Sequence, residues 1–225
     1  TILKEKLIRM KEQKFEFSAK NTFFTSDTHF GHANIIRLCN RPFKDVEEMN
    51  EKLVENWNRV VPEDGTVFHL GDFAFGGSAL WNSIIPRLNG QIYLIIGNHD
   101  RKNLRQGYMD KFVGVLPQMQ IQIEKRSIYL NHYPFLCYGG SYRNDADAVW
   151  QLFGHVHSGP TSSGLDCDRL VHLFPYQYDV GVDNNNYTPI SWTEVKEKIQ
   201  HQIDEGVEKS VKEHTIPDEV YKLSD

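Results

Sequence analysis

Five short segments of this 225-residue sequence constrain its fold more than any other feature. Each sets Asp, Asn or His directly behind an apolar or β-branched run: Asp27-Thr28-His29, Gly71-Asp72, Gly97-Asn98-His99-Asp100, His132, and Gly154-His155-Val156-His157. The preceding runs, residues 21–26, 66–70, 92–96, 126–130 and 148–153, are strands by residue type. Between the first three lie helical patterns. One covers His32 to Leu38; after Pro42 a second covers Asp45 to Val60, with Asp45 as N-cap and Val46, Met49, Leu53 and Trp57 at spacings of three and four. A third, Ser78 to Leu88, is weakened by Pro86. Strand, polar loop and helix in repetition predict βαβ units and a largely parallel sheet. Such sheets bind ligands outside the carboxyl ends of their strands, so the five segments are expected to meet on one edge.

After Val113 the pattern changes. Gln118 to Glu124 alternates Met119, Ile121 and Ile123 with polar residues, and Arg126 to Leu130 follows a tight turn at Lys125, which predicts a hairpin. Strands over 148–153 and 177–182 come next, then a helix from Ser191 to Ile203 whose Ser191 and Glu194 form a capping box. A single α/β domain over 1–225 is expected, with its core at 21–203. An amphipathic N-terminal helix within 2–14 and a polar, loosely held tail over 205–225 are peripheral to it. Lys and Arg number 25 against 30 Asp and Glu, a net charge of -5 that supplies no basic stripe for a long nucleic acid and disfavours a dedicated duplex-DNA binder. The longest apolar run, residues 91–96, falls far short of the ~18 residues of a membrane span, so no membrane partner is expected. Cys39, Cys137 and Cys167 have no C-x-x-C spacing, which implies neither a disulfide framework nor a zinc ribbon and fits a cytoplasmic location.

The five segments offer carboxylate, imidazole and amide oxygen without thiolate, a donor set suited to divalent Mn, Fe, Co or Zn. Asp27, His29, Asp72, Asn98, His132, His155 and His157 exceed the needs of one ion and suit two that share a bridging carboxylate, about 3.5–4 Å apart. Taken singly the segments are ordinary: Gly71-Asp72 is a common turn pair, and His132 before Tyr133-Pro134 reads as a strand cap. The ordered set is what points to a dinuclear centre. His69, between Phe68 and Leu70, reads as a satisfied core residue, and His172, His201 and His214 as surface or packing residues.

From Asn21 to about Val182 this ordered set, D-x-H, G-D, G-N-H-D, H and G-H-x-H, resembles the calcineurin-like metallophosphoesterases. The stretch from Thr25 to Ile36 is similar to that of small stand-alone bacterial and phage phosphoesterases. The resemblance implies a four-layer α/β/β/α sandwich with two divalent ions at the sheet edge, among Mn, Fe, Zn, Co and Ni with Mn favoured. It implies Asp27, His29 and His157 on one ion, Asn98, His132 and His155 on the other, and Asp72 as the bridge. His99 is then the catalytic histidine and Asp100 its orienting partner. The implied reaction is hydrolysis of a small phosphodiester by a metal-bridging hydroxide. Gly71-Asp72 is followed by Phe73-Ala-Phe-Gly-Gly77 where the protein Ser/Thr phosphatases carry an acid and an Arg-Gly, which argues against phosphoprotein substrates. A phosphomonoesterase or nuclease on the same site, and a catalytically silent interaction scaffold, are the alternatives. The full ligand set together with His99 counts against the scaffold.

For the substrate, His32 and Asn34 are placed to face the metals, and Arg37, Arg101 and Arg143 are candidate phosphate contacts. Arg37 and Arg41 lie four apart. A surface ion pair with Glu47 or Glu48 competes evenly with the phosphate role for Arg37 and is the preferred reading of Arg41. Arg101, Lys102 and Arg105 form a modest basic set beside Gly97-Asn98-His99-Asp100, and Gly139-Gly140 suggests a flap. Oligomeric state is not readable.

Overall fold

A computed structural model describes residues 15–107, 109–141, 143, 148–160 and 167–213, without the side chains of 109, 167–169 and 206–213. The expected helix at 2–14 lies outside the described residues. The first sheet has the order β4-β3-β2-β1-β9, built from β1 (Thr22–Thr25), β2 (Thr66–His69), β3 (Gln91–Ile95), β4 (Gly114–Leu116) and β9 (Ile190–Ser191). β1 to β4 are parallel, and β9 joins antiparallel at the edge. The second sheet is β5-β6-β7-β8, from β5 (Gln118–Ile123), β6 (Arg126–Asn131), β7 (Trp150–Phe153) and β8 (Gln177–Asp179). There β5 and β6 form the predicted hairpin, and β6, β7 and β8 run parallel. Glu124 and Lys125 both take positive φ (49° and 69°), as a two-residue primed turn requires.

The alternation of side chains along each strand divides the core in two. Phe23, Val67, Ile92 and Leu94 face a cluster built with Ile35 of α1 (Ala33–Leu38), Met49, Leu53 and Trp57 of α2 (Val46–Val60), and Trp81 of α3 (Ser78–Ile84). Phe24, Phe68 and Ile95 turn the other way and pack against Met119, Ile121, Ile128, Leu130 and Leu152 of the second sheet. Asp45 caps α2 by accepting from the Glu48 amide at 2.8 Å. α3 stops at Ile84 and continues as a 3-10 turn, Ile85–Arg87, where Pro86 removes an amide donor.

The last helix departs from expectation. α5 runs from Trp192 to Glu213, past the limit of Ile203, so residues 205–213 are helical rather than tail. Its start is the expected capping box: Ser191 N and Oγ both donate to Glu194 Oε2, at 2.8 and 2.7 Å. Trp192, Val195, Ile199 and Ile203, spaced three and four apart, enter the inter-sheet cluster. No described helix is long and apolar enough to cross a membrane.

Candidate metal centre

β1, β2 and β3 of the first sheet and β6, β7 and β8 of the second deliver their carboxyl ends to one edge. The two sheets are stitched there by the Ser26–Gly181 bridge, by Gly154 N to His132 O (3.0 Å) and by His155 N to Asp27 Oδ2 (2.8 Å). The turns that leave these strands are strained. Asp27, His29, Asp72, His155 and His157 take φ of 56°, 49°, 56°, 73° and 50°, a left-handed conformation that costs about 1–3 kcal/mol at a non-glycine residue. Two glycines let the backbone press against the carboxylates. A Cβ on Gly97 would stand 2.2 Å from Asp72 Oδ1, and one on Gly154 2.3 Å from Asp27 Oδ2.

Asp100 supplies much of the restraint. Its fully buried carboxylate accepts from the amides of Asp72 (2.8 Å), Phe73 (2.9 Å) and Gly97 (2.8 Å). The residue expected to orient His99 thus holds the backbone of the Asp72 turn. Burial pushes its carboxyl up to about 6 against the pull of those amides.

Two groups of donors result. Asp27, His29 and His157 offer ligand atoms within 4.8 Å of one another, and so do Asp72, His132 and His155. Asp72 stands between them, its Oδ2 lying 3.7 Å from His29 Nε2, 3.5 Å from His132 Nε2 and 3.9 Å from His99 Nε2. Asn98 Oδ1 joins the second group at 3.1 Å from His132 Nε2. The expected donors are therefore together in space. They also fit cations chemically: Asp27 Oδ1 and both ring nitrogens of His29 are buried without a hydrogen-bond partner, a state that buried polar atoms rarely keep unless an ion or water satisfies them. A third group, Cys39, His157 and Asp183, has its Asp183 carboxylate committed to Arg41.

Electrostatics agree with that fit. Burial lowers His29 well below the usual imidazole range, helped by the charge of neighbouring His157 and Arg41, so the lone pair of one ring nitrogen is available. Burial would lower His132 too, but its bond to Asp72 and the field of Asp27 and Asp72 carry it to about 9. Burial is likewise overcome at His157, where Asp183 and Cys39 as bonding partners, with the field of Asp27 and Asp183, raise it to about 11. The carboxylates thus favour positive charge at both groups.

The nitrogens that face the site are aimed by the opposite neighbours of their rings. His132 Nδ1 donates to Leu70 O at 2.8 Å, and His157 Nδ1 meets Asp183 Oδ2 at 2.6 Å, so in each ring Nε2 faces the carboxylates of the site. Arg41 overturns its surface reading. It is buried, grips Asp183 through Nε and a terminal nitrogen at 2.8 Å each, and donates to the carbonyls of Asp27 (2.7 Å) and Thr28 (3.0 Å). Asp183 itself escaped notice, although it bears the same signal as the candidate donors: an acid just past an apolar strand end.

His99 is 40% exposed in its side chain, with its amide on Asp72 Oδ1 at 2.9 Å. His32 stacks on half-exposed Phe75 at 4.3 Å and lies 5.3 Å from the His29 ring. Asn34 and Arg37 are exposed on α1, and Arg101 is exposed on α4 (Asp100–Leu104). Arg143 is not brought to the site. Its backbone is held by Gly140 O and Tyr176 Oη, and Gly140 bonds Val149, before β7, while His155 and His157 lie beyond the other end of that strand. His69 is the satisfied core residue expected, bonded to Thr28 Oγ1 (2.9 Å) and Gly71 N (3.3 Å). His201 is exposed beside Glu205, His172 is exposed, and His214 lies outside the described residues.

Comparison with known proteins gives the same direction. The profile of the calcineurin-like phosphoesterases matches residues 21–183. An uncharacterized protein of Methanocaldococcus jannaschii is 35% identical over 179 residues, covering 77% of this chain and 88% of its own. The Gene 66 protein of Mycobacterium phage L5 is 31% identical over 192 residues, with 72% and 86% covered. Among solved structures, a protein of unknown function from Aquifex aeolicus superposes with a TM-score of 0.61 at 26% identity, covering 80% of this chain and 99% of that one.

Proposed function

The chain belongs to the calcineurin-like phosphoesterase family, a family of metal-dependent phosphoric ester hydrolases, and on that premise we propose that it is a dimetal phosphodiesterase acting on a small phosphodiester. The observation that carries this reading is the position of Asp72, whose Oδ2 lies within 3.7 Å of an imidazole from each donor group. Asp27, His29 and His157 would hold one ion and Asn98, His132 and His155 the other, with Asp72 placed to serve both groups and Mn the preferred metal. Such a pair of ions supplies water activated near neutral pH and neutralises the phosphoryl oxygens.

The chain's own groups complete the reaction. A water that has given up one proton to solvent joins its oxygen to phosphorus, the bond to the leaving oxygen breaks, and His99 delivers a proton to that oxygen from the solvent side of Asp72. His32 and Phe75 wall the His99 side of the cleft, with the Phe75 ring 5.5 Å from that of His99. A diester is favoured on charge. A monoester carries an additional negative charge that calls for a guanidinium clamp at the ions; the turn after Asp72, Phe73 to Gly77, has no arginine, Arg41 is committed to Asp183 and to backbone carbonyls, and Arg101 and Arg105 stand beyond Tyr133. A cytoplasmic enzyme is in keeping with Cys39 and Cys137, both free thiols.

Hydrolysis of bis-p-nitrophenyl phosphate and of p-nitrophenyl phosphate, each with Mn²⁺, Zn²⁺, Ni²⁺ or chelator, tests the proposal. Diester turnover in excess of monoester turnover, abolished by chelator, is expected. Preference for the monoester overturns the diester assignment, and inactivity of protein carrying two ions per chain overturns the enzyme.

A further inference from the structure

Next to the metal centre lies a cavity of about 320 Å³. Arg101 and Arg105 line it, with Tyr133 and Asn131 among its polar groups and Ile96 and Leu104 among its apolar ones. The two arginines stand four apart at α4 and its C-cap, so both guanidiniums rise on one face. Both residues are exposed, and among the described residues no carboxylate pairs with either. Among the described residues they are therefore uncommitted, in contrast to Arg41.

Tyr133 links this cavity to the metal ligands. Its ring packs edge-on against His132 (4.9 Å) and His155 (4.7 Å), and its hydroxyl lies 3.4 Å from Asn98 Oδ1. Asn131 fixes the tyrosine's backbone by accepting its amide at 2.8 Å. A ligand held at the ions through one phosphoryl group thus has one side chain to pass before it reaches two free guanidiniums. The volume is at the small end of ligand pockets, enough for one compact unit rather than a long chain.

We infer that Arg101 and Arg105 form an anion subsite for a second phosphate on the substrate, with the Tyr133 ring and the Ile96–Leu104 wall accepting the nucleoside-sized unit between the two phosphates. Guanidinium forks match phosphate oxygens two at a time, and the apolar wall suits the uncharged span between them. The substrate class is then a phosphodiester of nucleotide type that carries a further phosphate. Which phosphate meets the ions rests on the phosphodiesterase reading; the existence of the subsite does not.

The test uses the metal-loaded protein and separates the two. Binding of thymidine 3′,5′-bisphosphate and of thymidine 5′-monophosphate is measured by calorimetry for the wild type, Arg105→Ala, Arg105→Lys and Arg101→Ala/Arg105→Ala, with metal content and thermal melting as controls. In the wild type the bisphosphate is expected to bind about tenfold tighter, the worth of one charge-assisted contact. That preference should shrink in Arg105→Lys and vanish in the double variant, while affinity for the monophosphate stays within about twofold. Equal affinity for the two ligands in the wild type, or an undiminished preference in the double variant, overturns the subsite. Turnover of the p-nitrophenyl ester of thymidine 5′-phosphate is scored separately. Its absence beside an intact binding preference counts against the phosphodiesterase and leaves the subsite standing.

Discussion

His157 Nδ1 and Asp183 Oδ2 lie 2.6 Å apart, although 26 residues separate them, and this contact turns the other ring nitrogen of His157 toward Asp27 Oδ1 at 3.8 Å. The carboxylate sets the tautomer and the orientation of the imidazole, as the outer partners of metal-binding histidines do. Asp183→Asn keeps the shape and removes the charge. Metal titration of that variant should show one ion weakened about 10- to 100-fold and the other little changed. Two ions bound as tightly as in the wild type would remove Asp183 from the positioning of His157.

Arg41 carries the same network into the core. Its guanidinium and the Asp183 carboxylate are 0% and 2% exposed, so removal of Arg41 leaves Asp183 with His157 as its remaining charged partner and takes the donor from the Asp27 and Thr28 carbonyls. Arg41→Met should lower unfolding free energy by about 3–5 kcal/mol in urea titrations. If the variant unfolds at the wild-type midpoint, the pair does not stabilise the native state.

The approach of Gly97 to Asp72 gives a third expectation. A Cβ at position 97 would lie 2.2 Å from Asp72 Oδ1 and 2.4 Å from Asp72 N, so Gly97→Ala must displace the turn that carries the shared carboxylate. A stability loss of about 1–3 kcal/mol is expected, with both ions weakened together. Retention of both ions at wild-type affinity, in a metal analysis of the folded variant, contradicts the close fit.

His99 and Asp72 divide by what they touch. His99 is half-exposed and its ring reaches only the rim of the site, so His99→Ala should keep both ions and lose about 10²- to 10⁴-fold in kcat. Asp72→Asn should lose both ions. Unchanged turnover in the first variant, or two retained ions in the second, would sink the respective role.

His69 predicts a pH effect on the fold itself. Thr28 Oγ1 donates to Phe73 O at 2.7 Å, so His69 Nε2 must donate to that hydroxyl, while Nδ1 accepts from Gly71 N; the neutral ring alone does both. Burial accordingly lowers the residue from 6.5 to about 3. The unfolded chain therefore binds a proton that the folded chain refuses, and stability drops as pH falls from 6.5 toward 3. Melting temperatures of metal-free wild type and His69→Gln, followed from pH 7.5 to 4, should converge on acidification. Parallel curves would mean that His69 does not contribute to the acid limb.

Much of the site was legible because its signal is local. Asp27, His29, Asp72, Asn98, His132, His155 and His157 each follow an apolar strand within a few residues, and the strand periodicity fixed where those runs end. Asp45, Ser191 and Glu194 were legible as caps for the same reason. Arg41 was misread because its partner is 142 residues away, and nothing in its neighbourhood distinguishes a buried arginine from one beside Glu47 and Glu48. Arg143 sits in a Gly-rich loop that resembles a binding loop, while its place at the far end of β7 is a matter of sheet connection that no local pattern reports. The helix beyond Ile203 was missed because a polar helical segment and a polar tail look alike in composition.

By itself the sequence determined which donors this protein owns and the order in which strands present them, since strand ends, turns and caps are set by residues a few positions apart. Tertiary structure decided what those donors do to one another. The left-handed turns at Asp27, His29, Asp72, His155 and His157 are unfavourable locally and persist because Asp100, 28 residues from Asp72, captures backbone amides, and because Arg41 bonds the Asp27 and Thr28 carbonyls. Strain can be held only by contacts that the folded chain brings from elsewhere.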